Sequence, residues 1–195
     1  TKFTYGKFII NRKKDKLSNL LEVSVIDELK NIKQDLKLIS YLSYIVELTN
    51  QILKQTYEYE ELYKLFINVV LKLNNKLNPK VICNIYEIKV LDYLGVGINF
   101  NSCTKCGSTN NIVTIDGDIG GYICKNCYTN EIIYDNKTIK MLRMYYLIDV
   151  SSISSLKISN NVIENINLFI NTYYDRYTGL YLNSKKFLKD LDKIY

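Results

Sequence analysis

The stretch "SCTKCGSTNNIVTIDGDIGGYICKNCY", residues 102–128, contains four of the five cysteines of the chain. They form two Cys-x-x-Cys pairs, Cys103/Cys106 and Cys124/Cys127, which are separated by 17 residues. Each pair can direct two thiolates to one point, and Gly107 gives the backbone freedom for a tight turn after the first pair. Four thiolates complete a tetrahedron around zinc and leave no position for a catalytic water. The spacing therefore predicts one structural Zn²⁺ ion, with a redox or disulfide role and unliganded thiols as the alternatives.

The residues between the two pairs are typical of a short β-hairpin. In "IVTIDGDIGGY", residues 112–122, apolar residues alternate around turns that contain glycine. Asp116 and Asp118 could bind a cation, but a hairpin turn accounts for them better. We therefore expect a zinc ribbon at about residues 100–130. Cys83 lies outside this unit, in an apolar stretch with helical character, and we interpret it as a small buried residue.

The composition indicates a folded and modestly basic protein. The chain has 195 residues, 47% of them hydrophobic, no histidine, and a formal net charge of +6. A chain of this length can bury about 70% of the surface that the unfolded chain exposes. Since no apolar run is long enough to span a membrane and no secretory leader is evident, we expect a cytoplasmic protein. Stable disulfides are rare in the cytosol, which favours metal binding by the cysteines.

Apolar periodicity predicts an α+β fold that is mostly α-helical. Residues 1–28 have the character of strands that belong to a larger sheet, because an isolated two-stranded hairpin is only marginally stable. From Asp35, a predicted N-cap, the period becomes helical. Helices are predicted from 35 to about 53, at 59–74, from Asn78 and Pro79 to a stop at Gly95, at about 137–148, at 161–177, and from about Ser184. The sequence thus predicts a helical bundle that a zinc ribbon interrupts.

No group of residues in the sequence resembles a catalytic site. The chain has no histidine to act as a base, and no phosphate-binding glycine loop or paired-carboxylate motif is present. The turn that contains Arg12, Lys13, Lys14 and Lys16 is either an ordinary polar loop or a cationic finger suited to phosphate groups. These features favour a binding protein over an enzyme.

Three segments in this order resemble the RecO family of bacterial recombination mediators. A helix that ends in Leu94-Gly95 leads into the first Cys-x-x-Cys pair, and a Gly-Gly-aromatic step precedes the second pair. The C-terminal region has Tyr-Tyr followed by Leu-x-Ser-Lys-Lys-Phe-Leu. The segments are "NPKVICNIYEIKVLDYLGVGINFNSCTKCG" (78–107), "GGYICKNC" (120–127) and "YYDRYTGLYLNSKKFLKDL" (173–191), and "FTYGKF" (3–8) and "DLKLISYLSYIVELT" (35–49) extend the resemblance over the whole chain.

The resemblance implies two domains. Residues 1–30 would be the closing strands of an OB-fold β-barrel, and residues 31–195 the helical domain with its zinc ribbon. RecO proteins begin with a complete OB-fold, and this chain resembles only its last part. An OB-fold binds single strands through a basic groove and stacked aromatic side chains. Phe3, Tyr5 and Phe8 are the stacking candidates, although aromatic residues in strands are more often part of a core.

The resemblance also implies a non-enzymatic role in DNA repair. RecO proteins bind single- and double-stranded DNA, anneal complementary strands, and work with RecR to load RecA onto DNA coated by single-stranded DNA-binding protein. The acidic, apolar-ended tail of that coat protein is expected to bind a hydrophobic groove in the helical domain that is flanked by lysine. A protein of this kind would be cytoplasmic and associated with the nucleoid.

The expected DNA-binding residues are basic side chains in two parts of the chain. The first part is the N-terminal strands and turn. The second part is the last helix, where an ordinary solvated helix end is the alternative interpretation. They are Lys7, Arg12, Lys13, Lys14 and Lys16, together with Lys185, Lys186 and Lys189. The alternative function is a zinc-ribbon adaptor that binds proteins in another nucleic-acid complex, such as a transcription or nuclease complex.

Overall fold

The computed structural model describes residues 3–55, 57 and 59–191. Its fold is mixed α+β, with a two-stranded sheet, a helical body and a three-stranded sheet. The strands are β1 (Tyr5–Asn11), β2 (Asn19–Asp27), β3 (Asn99–Cys103), β4 (Ile112–Asp116) and β5 (Gly121–Cys124). The helices are α1 (Lys30–Lys33), α2 (Leu36–Ile52), α3 (Tyr59–Asn74), α4 (Pro79–Val90), α5 (Asn136–Leu147), α6 (Asn160–Tyr177) and α7 (Asn183–Leu191), with a 3-10 turn at Val150–Ser152.

The N-terminal strands β1 and β2 form an antiparallel hairpin whose apolar side chains face solvent on both sides. The register runs from Tyr5 opposite Asp27 to Asn11 opposite Asn19. Phe8 and Val25 are 60% and 58% exposed, and the large apolar residues around them are exposed to similar degrees. A sheet normally buries at least one face. The hairpin therefore differs from the rest of the described chain in lacking a core of its own.

Local capping signals set the starts of the helices in the body. The Asp35 carboxylate accepts hydrogen bonds from the backbone N–H groups of Lys37 and Leu38, which makes it the predicted N-cap of α2. Asn78 caps α4 in the same way, with Pro79 at the first helical position. The predicted helices at 59–74, 137–148 and 161–177 agree with α3, α5 and α6 to within one residue at each end.

Helix α4 ends earlier than the sequence predicts, although Gly95 does form the cap that terminates it. Regular helix stops at Val90, and the chain continues in a tighter turn to Gly95. There the Val96 N–H donates to the Leu91 carbonyl, and the Gly95 N–H to the Asp92 carbonyl. This pattern is a Schellman motif, which requires the left-handed backbone (φ 70°) that Gly95 adopts.

Helices α2 and α4 form the centre of the hydrophobic core. Eight consecutive residues of α4, from Val81 to Ile88, are buried. The core includes Ile45 and Leu48 of α2 and Phe169 of α6, each with no exposed surface. No helix in the described ranges is long and apolar enough to cross a membrane.

The cysteine-bearing sheet (β3, β4 and β5) lies between α4 and α5 in the chain. Its central strand is β5, all four residues of which are buried. β4 pairs with β5 antiparallel, within the stretch for which a hairpin is predicted, and Asp116 accepts hydrogen bonds from the N–H groups of Asp118 and Ile119 in the turn. β3 pairs with β5 in parallel. The sequence argument does not predict this parallel pairing, which brings the ends of two strands together.

Candidate metal centre and basic surfaces

The parallel pairing of β3 and β5 places the two Cys-x-x-Cys turns side by side. Cys103 is the last residue of β3 and Cys124 the last residue of β5. After each strand the chain turns back: the Gly107 N–H donates to the Cys103 carbonyl at 2.8 Å, and the Cys127 N–H donates to the Cys124 carbonyl at 3.0 Å. The sheet thereby presents all four thiols at one edge.

The four sulfur atoms have the spacing of a tetrahedral metal site. The Sγ atoms of Cys103, Cys106, Cys124 and Cys127 all lie within 4.8 Å of one another, and those of Cys106 and Cys124 are 3.6 Å apart. A tetrahedron with zinc–sulfur bonds of about 2.3 Å has edges of about 3.8 Å, whereas a disulfide bond is about 2.05 Å long. All four cysteines are free. The donor set fits a thiophilic metal ion, and these four cysteines are called the cysteine quartet below.

The electrostatics of the cysteine quartet favour a bound cation. Burial opposes ionisation of Cys103, but backbone N–H groups of Cys124, Cys106 and Lys105 outweigh it and lower the pKa of Cys103 to about 6. Hydrogen bonding to Cys106, burial and the neighbouring sulfurs raise the pKa of Cys127 to about 12. The Cys103 thiolate therefore forms readily, and its negative charge is one of the effects that disfavour ionisation of Cys127. Only a cation among them lets all four ionise together.

An ion pair that the sequence argument misses connects the two turns. The Lys105 ammonium lies 2.5 Å from the Glu131 carboxylate and donates to the Cys127 carbonyl at 3.1 Å. Glu131 also accepts from the Thr129 N–H at 2.7 Å. The hydrogen bonds from Lys105 and the backbone lower the pKa of Glu131 to about 2. A lysine inside the first pair and a glutamate after the second were the only signals for this contact in the sequence.

The predicted basic turn is exposed at the end of the N-terminal hairpin. Arg12, Lys13, Lys14 and Lys16 all face solvent, as does Lys7 on β1. Among the aromatic candidates, Phe8 is exposed, whereas Phe3 and Tyr5 are partly buried. Cys83 is 3% exposed and belongs to the hydrophobic core, as expected for a buried small residue.

The lysines of α7 have unequal surroundings. The Lys185 ammonium lies 3.1 Å from the Glu87 carboxylate and 4.6 Å from the centre of the Tyr174 ring, and its side chain is 20% exposed. Lys186 is exposed, and the side chain of Lys189 lies outside the described residues. Lys185 thus contacts the core of the protein, while Lys186 faces solvent.

Glu87 is the centre of a buried polar cluster, defined by Glu87, Tyr44, Lys185 and Tyr174 and called the glutamate cluster below. The side chain of Glu87 is 3% exposed, and its carboxylate accepts a hydrogen bond of 2.5 Å from the Tyr44 hydroxyl. Burial, followed by the charge of Glu87, raises the pKa of Tyr44 well above its usual value, which keeps this hydroxyl protonated as a donor. The Tyr174 hydroxyl donates to the Glu87 carbonyl at 2.8 Å. The cluster joins α2, α4, α6 and α7.

The fold and the site define a class of protein: a helical domain that carries a unit of four cysteines spaced to hold a metal ion. Residues 33–186 match the family described as "Recombination protein O C terminal". The DNA repair protein RecO of Listeria innocua is 28% identical over 180 residues, which cover 91% of this chain and 71% of the relative. The protein of the same name from Bacillus cereus is 29% identical over 193 residues, which cover 97% of this chain and 77% of the relative.

The family match includes the helical body from α2 to α6 and the whole cysteine quartet. The chain belongs to the RecO family.

Proposed function

We propose that this protein is a DNA repair and recombination mediator that binds single- and double-stranded DNA and anneals complementary strands. With RecR, it would help to load RecA onto DNA coated by single-stranded DNA-binding protein. The observation that carries the proposal is the family match over residues 33–186, because it includes both the helical body and the cysteine quartet. The curated relatives carry the name DNA repair protein. A mediator of this kind would act in the cytoplasm, at the nucleoid, by binding and without enzymatic chemistry.

The cysteine quartet would hold one structural Zn²⁺ ion. Cys103, Cys106, Cys124 and Cys127 would supply four thiolates, which is a closed ligand set for zinc. The sulfur spacing and the need for a cation among the thiols support this assignment. The ion would fix residues of about 100–130 as a zinc ribbon, and its contribution would be to folding.

The N-terminal hairpin would be the closing part of an OB-fold, with residues 1–30 as that domain and 31–195 as the helical domain. Its two strands expose apolar side chains on both faces, such as Phe8 on one face and Ile9 on the other. Two strands alone are marginally stable in water. Further strands that close a barrel would bury one of these faces and give the hairpin a core.

The DNA-binding surface would begin at the exposed cationic end of this hairpin. Lys7, Arg12, Lys13, Lys14 and Lys16 are free to approach phosphate groups, and solvent exposure supports the same role for Lys186. A role for Lys189 stays a prediction from the sequence. For Lys185, the contact with Glu87 supports a different role, because an ammonium paired with a buried carboxylate is not free to neutralise phosphate.

The acidic, apolar-ended tail of single-stranded DNA-binding protein would bind the groove between α2 and α3. This groove has a volume of about 590 Å³ and apolar side chains along most of its wall, among them Val46, Leu53 and Phe66. Tyr59 and Tyr63 lie at its exposed side. Its size and apolar character suit an apolar peptide end. The described residues that line it include Glu60 and no lysine, so the lysine expected beside the groove is not part of its wall.

Strand annealing tests the proposed function. The protein would be mixed with complementary oligonucleotides that are coated with single-stranded DNA-binding protein, and duplex formation would be followed without ATP. Accelerated duplex formation is the expected result. A folded, metal-containing protein that gives no acceleration would contradict the mediator role and favour a zinc-ribbon adaptor that binds proteins. Since the hairpin would be only part of an OB-fold, the same measurement on the chain with the remaining strands restored would separate a missing domain from a wrong function.

A further inference from the structure

Helix α5 has a charge distribution unlike that of the other long helices. Its sequence, "NKTIKMLRMYYL", contains Lys137, Lys140 and Arg143 and no acidic residue. The three cations recur at every third position, so they lie along one face, and all three are exposed. Within the described ranges, the salt bridges involve none of them. The nearby carboxylate of Asp135 is occupied as the N-cap of α5, where it accepts from Thr138.

A small cleft lies beside this cationic face. It has a volume of about 250 Å³ and separates α5 from the cysteine-bearing sheet. The aromatic side chains of Phe100 and Tyr122 form its floor, where they are 4% and 8% exposed and pack edge to face at 5.8 Å. Burial raises the pKa of the Tyr122 phenol, and Arg143 lies close enough for its charge to oppose that rise.

The rim of the cleft is polar, and one side of it belongs to the first cysteine turn. Asn101 lies two residues before Cys103, and Thr109 lies three residues after Cys106. Asn136 lies on the opposite side, at the start of α5. All three rim side chains are exposed. Because Asn101 and Thr109 flank the first cysteine turn, the position of that turn sets how far this side of the rim lies from α5.

We propose that this cleft binds single-stranded DNA, with one base over the aromatic floor and the adjoining phosphates on Lys137, Lys140 and Arg143. The cleft is smaller than the roughly 300–1,000 Å³ of pockets for drug-sized ligands, which suits one flat ring system. The amides of Asn101 and Asn136 can both donate and accept, as the edge of a base requires. The three cations span about 9 Å along the helix, enough for two successive phosphates.

The strand must be single, because a base in a duplex is stacked and paired and cannot enter a cleft. Arg143 suits the position between base and backbone, since its planar guanidinium can stack on a ring and bind phosphate. The inference rests on the proposed DNA-binding function, and it gives the cysteine-bearing sheet a direct part in that function.

A charge-matched pair of double variants tests the phosphate contacts. Lys140→Gln with Arg143→Gln removes two cations at the cleft, and Lys54→Gln with Lys157→Gln removes two exposed cations in loops that do not line the cleft. Binding of a labelled oligodeoxythymidylate would be measured by fluorescence anisotropy at several salt concentrations. The cleft variant should lose affinity and have a slope of log affinity against log salt that is shallower by about 1.4, or 0.7 for each phosphate contact. The control should keep the parent slope.

Two results of this comparison would overturn the inference: equal losses in the two double variants, or no loss in either. In both cases the parent still binds, so the proposed DNA-binding function stands and only the cleft is wrong. A parent protein that does not bind the oligonucleotide at all would instead contradict the proposed function, and the cleft assignment with it.

An abasic oligonucleotide tests the base site separately. The parent should bind the base-bearing strand several-fold more tightly than the abasic one, and Asn101→Ala should reduce that preference without changing the salt slope. An unchanged preference would contradict a base in the cleft. If Lys140→Gln with Arg143→Gln loses binding of an acidic peptide with an apolar end but keeps oligonucleotide binding, the cleft belongs to a protein partner and the inference is wrong.

Discussion

The cysteine quartet and the glutamate cluster both connect distant parts of the chain, but they balance charge in opposite ways. In the quartet, four thiols within 4.8 Å of one another become mutually repulsive when they ionise, and the nearby ammonium of Lys105 is already paired with the Glu131 carboxylate. In the glutamate cluster, the chain itself provides the cation, Lys185, and a neutral donor, Tyr44. The cysteine-bearing sheet should therefore depend on a metal ion, whereas the helical body should not.

Cys103→Ser should have the largest effect, and it should be confined to the cysteine-bearing sheet. Metal binding contributes on the order of 10 kcal/mol to the folding of a small zinc unit, and this substitution removes one of four ligands. We expect loss of bound zinc, faster proteolysis between β3 and β5, and lower solubility, while the helical signal in circular dichroism changes little. Metal content and limited proteolysis would measure this.

Cys83→Ser is the matched control for the loss of a thiol, since Cys83 is buried but lies outside the quartet. It should keep its zinc. If Cys103→Ser unfolded the helices together with the sheet, the two regions would not be independent, and the comparison would fail.

Glu87→Ala should give the converse result, a less stable helical body with its metal retained. Removing one partner of a buried ion pair costs about 3–5 kcal/mol, because the remaining charge and donors stay buried. Tyr44 and Lys185 would both lose their acceptor. Urea unfolding followed by circular dichroism would measure the loss, since the chain contains no tryptophan.

Glu164→Ala is the control for Glu87→Ala. Glu164 pairs with Lys80 at 2.8 Å, but its own side chain is 61% exposed. An exposed pair contributes about 0–1 kcal/mol, so the control should unfold near the parent's midpoint. Equal effects of the two substitutions would show that burial of Glu87 does not matter.

Acid should release α7 before it unfolds the rest of the helical body. The Glu47 carboxylate of α2 accepts from the backbone N–H groups of Asn183 and Ser184 and from the Ser184 hydroxyl. Burial raises the pKa of Glu47, but these hydrogen bonds outweigh it and lower the pKa below its usual value of 4.5. A lowered pKa means that the stabilisation is complete above pH 4.5 and is lost as the pH falls through the folded value.

Amide hydrogen exchange in α7 would detect this release. Glu47→Gln should increase exchange of α7 at neutral pH by an amount equivalent to about 1 kcal/mol, the size of a lost helix cap. It should also remove the loss of protection that the parent shows at acidic pH, where protection is the exchange rate compared with the intrinsic rate at the same pH. A parent whose α7 keeps the same protection as the pH falls well below 4.5 would contradict this role for Glu47.

The features that were predictable from the sequence are local. Asp35, Asn78 and Gly95 act on backbone groups within a few residues of themselves, so their roles follow from sequence and geometry alone. The cysteine pairs are likewise short motifs of fixed spacing. The position of the terminating glycine was correct for α4, although the regular helix ends at Val90 because the chain tightens into the cap.

The features that were missed depend on tertiary contacts. Glu87 and Lys185 are 98 residues apart, and in sequence Lys185 resembles any exposed lysine at the start of a helix. The parallel pairing of β3 with β5 was missed for the same reason, because β4 lies between them in the chain. Only the packing shows that one lysine of α7 belongs to the core while its neighbour Lys186 faces solvent.

Lys105→Gln should have the smallest effect. It tests whether metal binding by the cysteine quartet depends on a side-chain contact outside the four ligands. The substitution removes the contacts of Lys105 with Glu131 and with the Cys127 carbonyl. Groups outside the ligand set typically change metal affinity by about 10–100-fold, and this pair should lie near the lower limit because the Lys105 side chain is 32% exposed. We expect zinc to pass to a chelator faster by about tenfold or less, with no change in the urea midpoint of the helices.

Lys125→Gln is the matched control, because Lys125 is an exposed lysine inside the second cysteine pair. Its backbone N–H binds the Asn111 carbonyl, a contact that the substitution keeps. If both variants released zinc at the same rate, the effect would come from net charge near the thiolates and not from the Lys105–Glu131 contact. If only Lys105→Gln released zinc faster, the chain would stabilise its metal site with an ion pair of its own. The cysteine quartet would then resemble the glutamate cluster, because both would rely on a lysine of the chain.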